Sequence, residues 1–181
     1  MIDSCPNQNE DIFILDVAPI YQGYIADIGY THSLGKNPAL EKVKSCLSHF
    51  RNRIPELFSG KLTGSQAWKV IDDEIRGYGY LNIHKKYPFS VLGHRVHETN
   101  ERFSKIKFLN FGWQSYWTLL SRGLFGQLLN GDFEGDLKGL WAIEPHLGTK
   151  YFGAKFEEIL VVDEKGATWL EDKPQYNGSF V

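Results

Sequence analysis

The sequence predicts an α+β fold with a mostly antiparallel sheet, formed by residues 1–181 as a single domain. Two β-like segments come first, two amphipathic helical segments follow, and further β-like segments lie toward the end of the chain. Strands and helices that are grouped along the chain, rather than alternating one by one, are typical of this class. The chain has 181 residues, of which 42% are hydrophobic, so it is long enough to bury a core.

The first two strands are predicted from short apolar runs at residues 12–18 and 24–31. A proline and a glycine lie between the runs, and such a tight connection is typical of a β-hairpin. Facing residues of an antiparallel pair follow a fixed register. A turn centred at residues 21–22 therefore predicts that Asp16 faces Asp27 on one side of the sheet.

Two helices are predicted next. Asn37 followed by Pro38 is an N-cap and first-turn signal, and apolar residues recur at helical spacing up to Gly60. The segment from Thr63 to Gly77 repeats this pattern. We expect both helices to pack an apolar face on the sheet.

The rest of the chain is predicted to be irregular at first and then to return to strands. Residues 80–110 show no clear period, and residues 115–129 look helical. After an acidic, glycine-marked loop, strands are predicted at residues 140–145, 154–162 and 167–170. This order of elements completes the α+β pattern.

The second hairpin also carries two acidic residues. If Gly148 faces Gly153 across a four-residue loop, the same register places Glu144 opposite Glu157. Opposed like charges destabilise a sheet, and the apolar neighbours of Asp16 and Glu157 predict burial, where an unpaired carboxylate is costly. A bound cation would remove this penalty.

The two hairpins together predict a metal site with oxygen and imidazole ligands. Cys5 and Cys46 do not form a CxxC pair, so a thiolate site is excluded. His94 is the candidate nitrogen ligand. Four carboxylates and one imidazole suit two divalent metal ions, and Mn, Co, Fe and Zn all accept such ligands. Three other histidines are interpreted as surface or loop residues: His32, His49 and His84.

The charge and hydropathy of the chain exclude several classes of function. A net charge of -2 and a pI near 6.3 provide no basic field for nucleic acid or anionic lipid. No apolar run approaches the roughly 20 residues of a membrane span, and the polar start is not a secretion signal. These features predict a cytoplasmic protein that binds neither nucleic acid nor membrane.

Successive motifs along the chain resemble the pita-bread metallopeptidases, which include methionine aminopeptidases, Xaa-Pro aminopeptidases, prolidases and creatinases. They run in the family's order from Asp16 to about Leu170, which is nearly the whole chain. The resemblance implies a pita-bread fold, in which helices cover a curved, mostly antiparallel sheet. The motifs are residues 16–31, Gly93-His94, Ile143-Glu144-Pro145, Phe156-Glu157-Glu158 and Val161-Val162.

The resemblance also implies roles for five residues. Asp16 would bind one metal, and Asp27 and Glu157 would bridge both. His94 and Glu144 would complete the other site, and Glu144 would also transfer the proton of a water that bridges the metals. The implied protein is a dinuclear-metal peptidase that acts on peptides. The segments around Glu144 and Glu157 favour the Xaa-Pro aminopeptidase and prolidase branch, and homodimerisation is a further expectation from the family.

The sequence departs from the family pattern in three places. Tyr30 stands before Thr31 where the family usually has arginine. His97 follows His94 closely, whereas the family's second histidine normally lies further along; His97 is therefore a candidate substrate or proton-transfer residue. Only about a dozen residues precede the strand of Asp16, so the N-terminal part of the fold is expected to be shortened.

Two alternative functions use the same fold. One is a creatinase-like C–N hydrolase that works without the metal pair. The other is a pita-bread binding module that has lost its ligands. The presence of all five predicted ligands argues against both alternatives, and the lack of a basic field argues further against a module that binds nucleic acid.

Overall fold

The computed structural model describes residues 12–21, 24–25, 27–98 and 127–170, and every pairing between strands in this part of the chain is antiparallel. The predicted grouping of strands, helices and strands is confirmed. The elements in chain order are β1 (Ile12–Val17), β2 (Ile20–Tyr21), β3 (Tyr24–Ile25), β4 (Ile28–Ser33), α1 (Pro38–Ser59), α2 (Gly64–Gly77), β5 (Leu81–Asn82), two 3₁₀ turns (Ile83–Lys86 and Pro88–Ser90), β6 (Gly93–Val96), β7 (Leu128–Leu129), β8 (Gly139–Ile143), β9 (His146–Gly148), β10 (Gly153–Asp163) and β11 (Gly166–Trp169).

Strand β10 organises the main sheet. The order across this sheet is β1-β4-β10-β8-β6-β7, and β9 and β11 also pair with β10. Because β10 is 11 residues long, its first half can pair with β4 and β9 while its second half pairs with β8 and β11. Residues from both ends of the chain therefore meet along this one strand.

The two helices follow the predicted signals. The side chain of Asn37 accepts a hydrogen bond from the Leu40 backbone N–H at 3.0 Å, and α1 begins at Pro38. Thr63 and Gln66 form a capping box at the start of α2, in which each side chain bonds the other residue's backbone. The buried faces of the two helices pack into the core. The core includes Phe50, Ile54 and Ile71 from the helices and Trp141, Phe156 and Leu160 from the sheet.

An ion pair between Arg51 and Glu158 ties helix α1 to strand β10. The Arg51 Nε donates to Glu158 Oε1 and its Nη2 donates to Oε2, both at 2.7 Å. Both residues are buried, and the guanidinium lies 5.6 Å from the centre of the Trp169 ring. This bidentate ion pair fixes the position of helix α1 along strand β10, at the residue next to Glu157.

The register of the first hairpin differs from the prediction. Asp16 faces Gly29, not Asp27, because the turn closes between Tyr21 and Tyr24, one residue later than expected. When the turn moves by one residue, the facing partner changes by two residues, from Asp27 to Gly29. A change by two keeps every side chain on its original face of the sheet. Asp16 and Asp27 are therefore diagonal neighbours rather than a directly opposed pair.

The register of the second hairpin is as predicted. Gly148 faces Gly153 in the β9–β10 pair, and the β8–β10 pair continues the same alignment beyond Glu144 and Pro145. Proline has no N–H to donate, so the ladder is interrupted there. The backbone N–H of Glu144 instead donates to the Leu92 carbonyl at 2.9 Å.

Two expectations about the middle of the chain are corrected. Residues 80–98 are not irregular, since they include strands β5 and β6, and β6 becomes regular by pairing with β8 on one side and β7 on the other. Leu128 and Leu129, expected to be helical, are strand β7. The remainder of the predicted helix, residues 115–126, lies outside the described residues, as does the tail after Lys173. Within the described residues, no helix combines the length and apolar character that a membrane crossing requires.

Candidate metal centre

The five predicted ligands lie in separate segments of the chain and come together near Glu157. Three of them are in strands (Asp16 in β1, His94 in β6 and Glu157 in β10), while Asp27 lies just before β4 and Glu144 just after β8. The structure places Asp27, His94 and Glu157 so that one ligand atom from each lies within 4.8 Å of the others. His94 Nε2 is 3.3 Å from Asp27 Oδ2. Asp16 and Glu144 are joined to Glu157 through a shared contact with Lys155. All five predicted ligands are therefore brought together, with Glu157 common to both groups.

Lys155 joins three of the carboxylates and was missed by the sequence analysis. Its Nζ donates to Asp16 Oδ2 at 2.9 Å and to Glu144 Oε2 and Glu157 Oε2, both at 2.8 Å. Lys155 is two residues before Glu157 in β10, so both side chains lie on the same face of the sheet. This alternation was the one sequence signal that could have found it.

Gly29 makes room for the ligands of the adjacent strands. It faces Asp16 on one side and Glu157 on the other. A Cβ atom at this position would lie 3.3 Å from both Asp16 Cγ and Glu157 Cβ, which is tighter than ordinary packing. A glycine here lets the two carboxylates approach each other across the intervening strand.

The ligands differ in their exposure. Glu157 is 3% exposed and Asp27 is 8% exposed. The sequence predicted that Asp16 is buried, and this prediction is wrong, because its side chain is 42% exposed. It lies in β1, at the end of the main sheet, where the described residues provide no covering element. The site thus has a closed side at Glu157 and an open side at Asp16.

Burial, with the charges of neighbouring carboxylates, raises the pKa values of Glu157 and Glu144. Burial, and then the charges of Glu144 and Asp27, raise the pKa of Glu157 to about 8, although Lys155 opposes this shift. Burial likewise raises the pKa of Glu144 above its ordinary value, again against the effect of Lys155. Keeping both carboxylates ionised and close together costs free energy, and added positive charge would lower that cost.

The pKa values of the two cationic partners, His94 and Lys155, are raised as well. Burial disfavours protonation of His94, but the hydrogen bond and charge of Asp27 outweigh it, so the pKa of His94 is raised. Burial also disfavours the Lys155 ammonium, yet Glu157 and Glu144 outweigh it, and the pKa of Lys155 is raised as well. The carboxylates of the cluster therefore stabilise the positively charged forms of both His94 and Lys155.

The donor set fits divalent metal ions. Carboxylate oxygens and an imidazole nitrogen are accepted by Mn, Co, Fe and Zn, and within the described residues Asp27, His94 and Glu157 form a group of close donors with that composition. The pKa values of Glu144 and Glu157 are raised chiefly by burial, so further positive charge would stabilise the ionised form of these two carboxylates. A metal would supply it.

His84 is buried, which corrects its interpretation as a surface or loop residue. It is 0% exposed, and burial lowers its pKa to about 4. Its Nε2 lies 2.8 Å from the Glu144 carbonyl oxygen and 2.8 Å from the His146 backbone nitrogen. The ring thus contacts the backbone on both sides of Pro145 and holds the segment that carries Glu144.

A tyrosine and a histidine border the cluster and were also missed. Tyr87 hydrogen-bonds through its hydroxyl to His146 Nδ1. His146 faces Lys155 directly across the β9–β10 pair, so the two share a face of the sheet. Burial and the charge of Glu144 raise the pKa of Tyr87 to about 12. No sequence motif marks Tyr87 or His146, so their position beside the cluster is seen only from their long-range contacts.

His97, the candidate substrate residue, lies just beyond strand β6. Its Nε2 contacts the side-chain oxygen of Gln127. Its predicted role in substrate binding or proton transfer stays a prediction.

Comparison with known families identifies the chain. A sequence model described as metallopeptidase family M24 matches residues 3–164, which is most of the chain. The chain belongs to this family. No curated protein matches this M24 chain in sequence.

Solved structures of several peptidases share the fold of this M24 chain. The prolidase from Pyrococcus furiosus is 18% identical with a TM-score of 0.61, over 87% of this chain and 40% of that one. The X-Pro aminopeptidase from Thermotoga maritima is 19% identical with a TM-score of 0.62, over 90% and 40%. The prolidase from Pyrococcus horikoshii is 17% identical with a TM-score of 0.60, over 87% and 39%.

These matches confirm the predicted pita-bread α+β fold, with an open antiparallel sheet and two helices in the described part. The M24 chain spans about 40% of the length of these solved relatives. The assignment of residues 1–181 to one domain stays a prediction.

Proposed function

We propose that this M24 chain is a dinuclear-metal peptidase that cleaves peptides of the Xaa-Pro type. The observation that supports the proposal is the clustering of four carboxylates and one imidazole, from five separate segments of the chain, with Glu157 at their centre. Such a cluster is expensive without bound cations. Its composition is that of a site for two divalent ions.

The choice of substrate draws on the relatives. The names of the solved structures are prolidase and X-Pro aminopeptidase. Because this chain spans about 40% of their length, its substrate and activity are proposals. The cytoplasmic location and the homodimer that the family resemblance implies are likewise still predictions.

Each ligand has a proposed place in the site. Asp27 and Glu157 would bridge the two ions, and Asp16 would bind one of them. His94 and Glu144 would complete the other position. When bound, the ions lower the pKa of a water molecule and polarise the scissile carbonyl group.

Glu144 is the residue suited to carry a proton during hydrolysis. The family resemblance gives it the proton of the attacking water, and a carboxylate within hydrogen-bond reach of that water can accept and then release a proton. Its side chain is 16% exposed, which leaves it accessible from the open side of the cluster. The contacts of His84 on both sides of Pro145 hold the Glu144 backbone in place.

The proposed metal site is tested by counting bound ions. Wild type should bind two Mn²⁺ per chain in a titration followed by calorimetry, and Asp27→Asn should lose that stoichiometry, because a bridging carboxylate serves both ions. Asp163→Asn is the matched control, since Asp163 is exposed at the far end of β10. Two ions bound by the Asp27→Asn variant would show that the ligand assignment is wrong.

The proposed reaction is tested with a dipeptide pair. The metal-loaded chain should hydrolyse an Xaa-Pro dipeptide faster than the same dipeptide with alanine in place of proline. Hydrolysis that is unaffected by removing all metal would instead favour the creatinase-like alternative. The absence of both metal binding and hydrolysis would favour the binding module.

A further inference from the structure

Lys155 holds a position in the cluster that bound metals would also need. Its ammonium group is 2.8 to 2.9 Å from one oxygen each of Asp16, Glu144 and Glu157. Its side chain is 8% exposed, so water does not replace these contacts. Three of the five predicted metal ligands therefore already share one cation, which comes from the protein itself.

The backbone of Lys155 is fixed independently of these contacts. Thr31 is fully buried, and its hydroxyl donates to the Lys155 carbonyl at 3.1 Å and accepts from the Lys155 N–H at 2.8 Å. The main chain therefore cannot move away from the cluster without breaking two buried bonds. Only the flexible side chain of Lys155 is free to change its position.

The ammonium and the metals compete for the same three carboxylates. Metal–oxygen bonds are about 2.0 to 2.2 Å long, so a divalent ion held by these carboxylates would lie close to the present position of the Lys155 ammonium group and repel it. Two divalent ions also neutralise four carboxylates without help. In a loaded site, the charge of Lys155 becomes a surplus like charge close to the metals.

We propose that Lys155 is the internal counterion of the metal-free site, and that divalent ions displace its ammonium group from Asp16, Glu144 and Glu157 when they bind. This inference rests on the proposed function, since it concerns the same ligands. It predicts that Lys155 stabilises the metal-free fold and weakens metal binding. A residue that merely supported the ligands would strengthen metal binding instead.

The test compares Lys155→Met with Lys165→Met. Both variants remove one positive charge, but Lys165 is exposed and ten residues further along, roughly 30 Å away at the spacing of a strand. Mn²⁺ affinity is measured by calorimetry, and the thermal midpoint is measured with EDTA and with saturating Mn²⁺. Lys155→Gln is measured alongside, since it keeps a hydrogen-bond donor and is less disruptive to folding.

The expected result is at least tenfold tighter Mn²⁺ binding in Lys155→Met, with a lower thermal midpoint in EDTA that Mn²⁺ restores. Lys155→Gln should change in the same direction, and Lys165→Met should match wild type. Unchanged or weaker Mn²⁺ binding in both Lys155 variants would overturn the inference while leaving the metal site intact. If wild type and every variant fail to bind Mn²⁺, the proposed function and the inference both fall. If the Lys155 variants bind Mn²⁺ and wild type does not, the inference is supported, because the Lys155 ammonium group would then block the metal site.

Discussion

Removing one partner of the Arg51–Glu158 pair should lower the free energy of unfolding more than any change to a surface ion pair. In Arg51→Met, the Glu158 carboxylate would stay buried without its two donors. Both side chains are only about a tenth exposed, at 11% and 10%, so solvent screening is weak. Breaking a buried pair on one side costs about 3 to 5 kcal/mol.

The magnitude can be read from urea unfolding in EDTA. With a urea dependence of about 2 kcal/mol per molar, a loss of about 3 kcal/mol lowers the midpoint by about 1.5 M. The matched control is Arg53→Met, two residues along the same helix, where the partners Glu56 and Glu74 are more exposed. Its loss should stay below about 1 kcal/mol.

The double variant Arg51→Met, Glu158→Met isolates the cause. If the single loss comes from an unpaired buried charge, removing both charges should restore stability to within about 1 kcal/mol of wild type. The reasoning is refuted if the double variant loses as much as the two single variants combined, or if Arg51→Met costs no more than Arg53→Met. The slope of the urea dependence should be unchanged throughout.

Further predictions concern the metal site and its support. In Gly29→Ala, a methyl group 3.3 Å from atoms of Asp16 and Glu157 should push these ligands apart and weaken Mn²⁺ binding about tenfold, or about 1.4 kcal/mol, in calorimetry; unchanged affinity would show that the spacing is uncritical. Glu144→Gln should retain bound Mn²⁺ but lose most peptide turnover, because an amide cannot carry a proton; wild-type turnover would remove Glu144 from the reaction. The pKa of His84 is lowered to about 4 by burial, so its contribution to stability is complete above about pH 6.5 and is lost as the pH falls toward 4. That loss is about 3 kcal/mol in urea unfolding at pH 4, and His84→Gln should lack it; equal pH dependence in both proteins would contradict the assignment.

Local signals in the sequence were sufficient for the helices and the second hairpin. The cap at Asn37 and the capping box at Thr63 depend only on residues within one helical turn. The alignment of Gly148 with Gly153 depends on a short loop, so the position of Glu144 opposite Glu157 followed from counting. In each case the determining contacts lie close together in the chain.

Long-range contacts explain what the sequence could not predict. Whether Asp16 is buried depends on which elements cover β1, and its own apolar neighbours wrongly suggested burial. His84 is buried because a segment 60 residues away in the chain packs its backbone against the ring. In the sequence Lys155 resembles an ordinary surface lysine, because the carboxylates of Asp16 and Glu144 reach its ammonium group from distant parts of the chain.

The gap in the ladder at Pro145 has a consequence for how the chain reaches its native state. A hairpin that slips by one residue exchanges the two faces of a strand, which would turn Glu144 away from Glu157. A proline is accepted only where no ladder hydrogen bond is required, so the slipped hairpin would place it where a donor is missing. We therefore expect Pro145 to disfavour misaligned pairing during folding and to favour the register that brings Glu144 to Glu157.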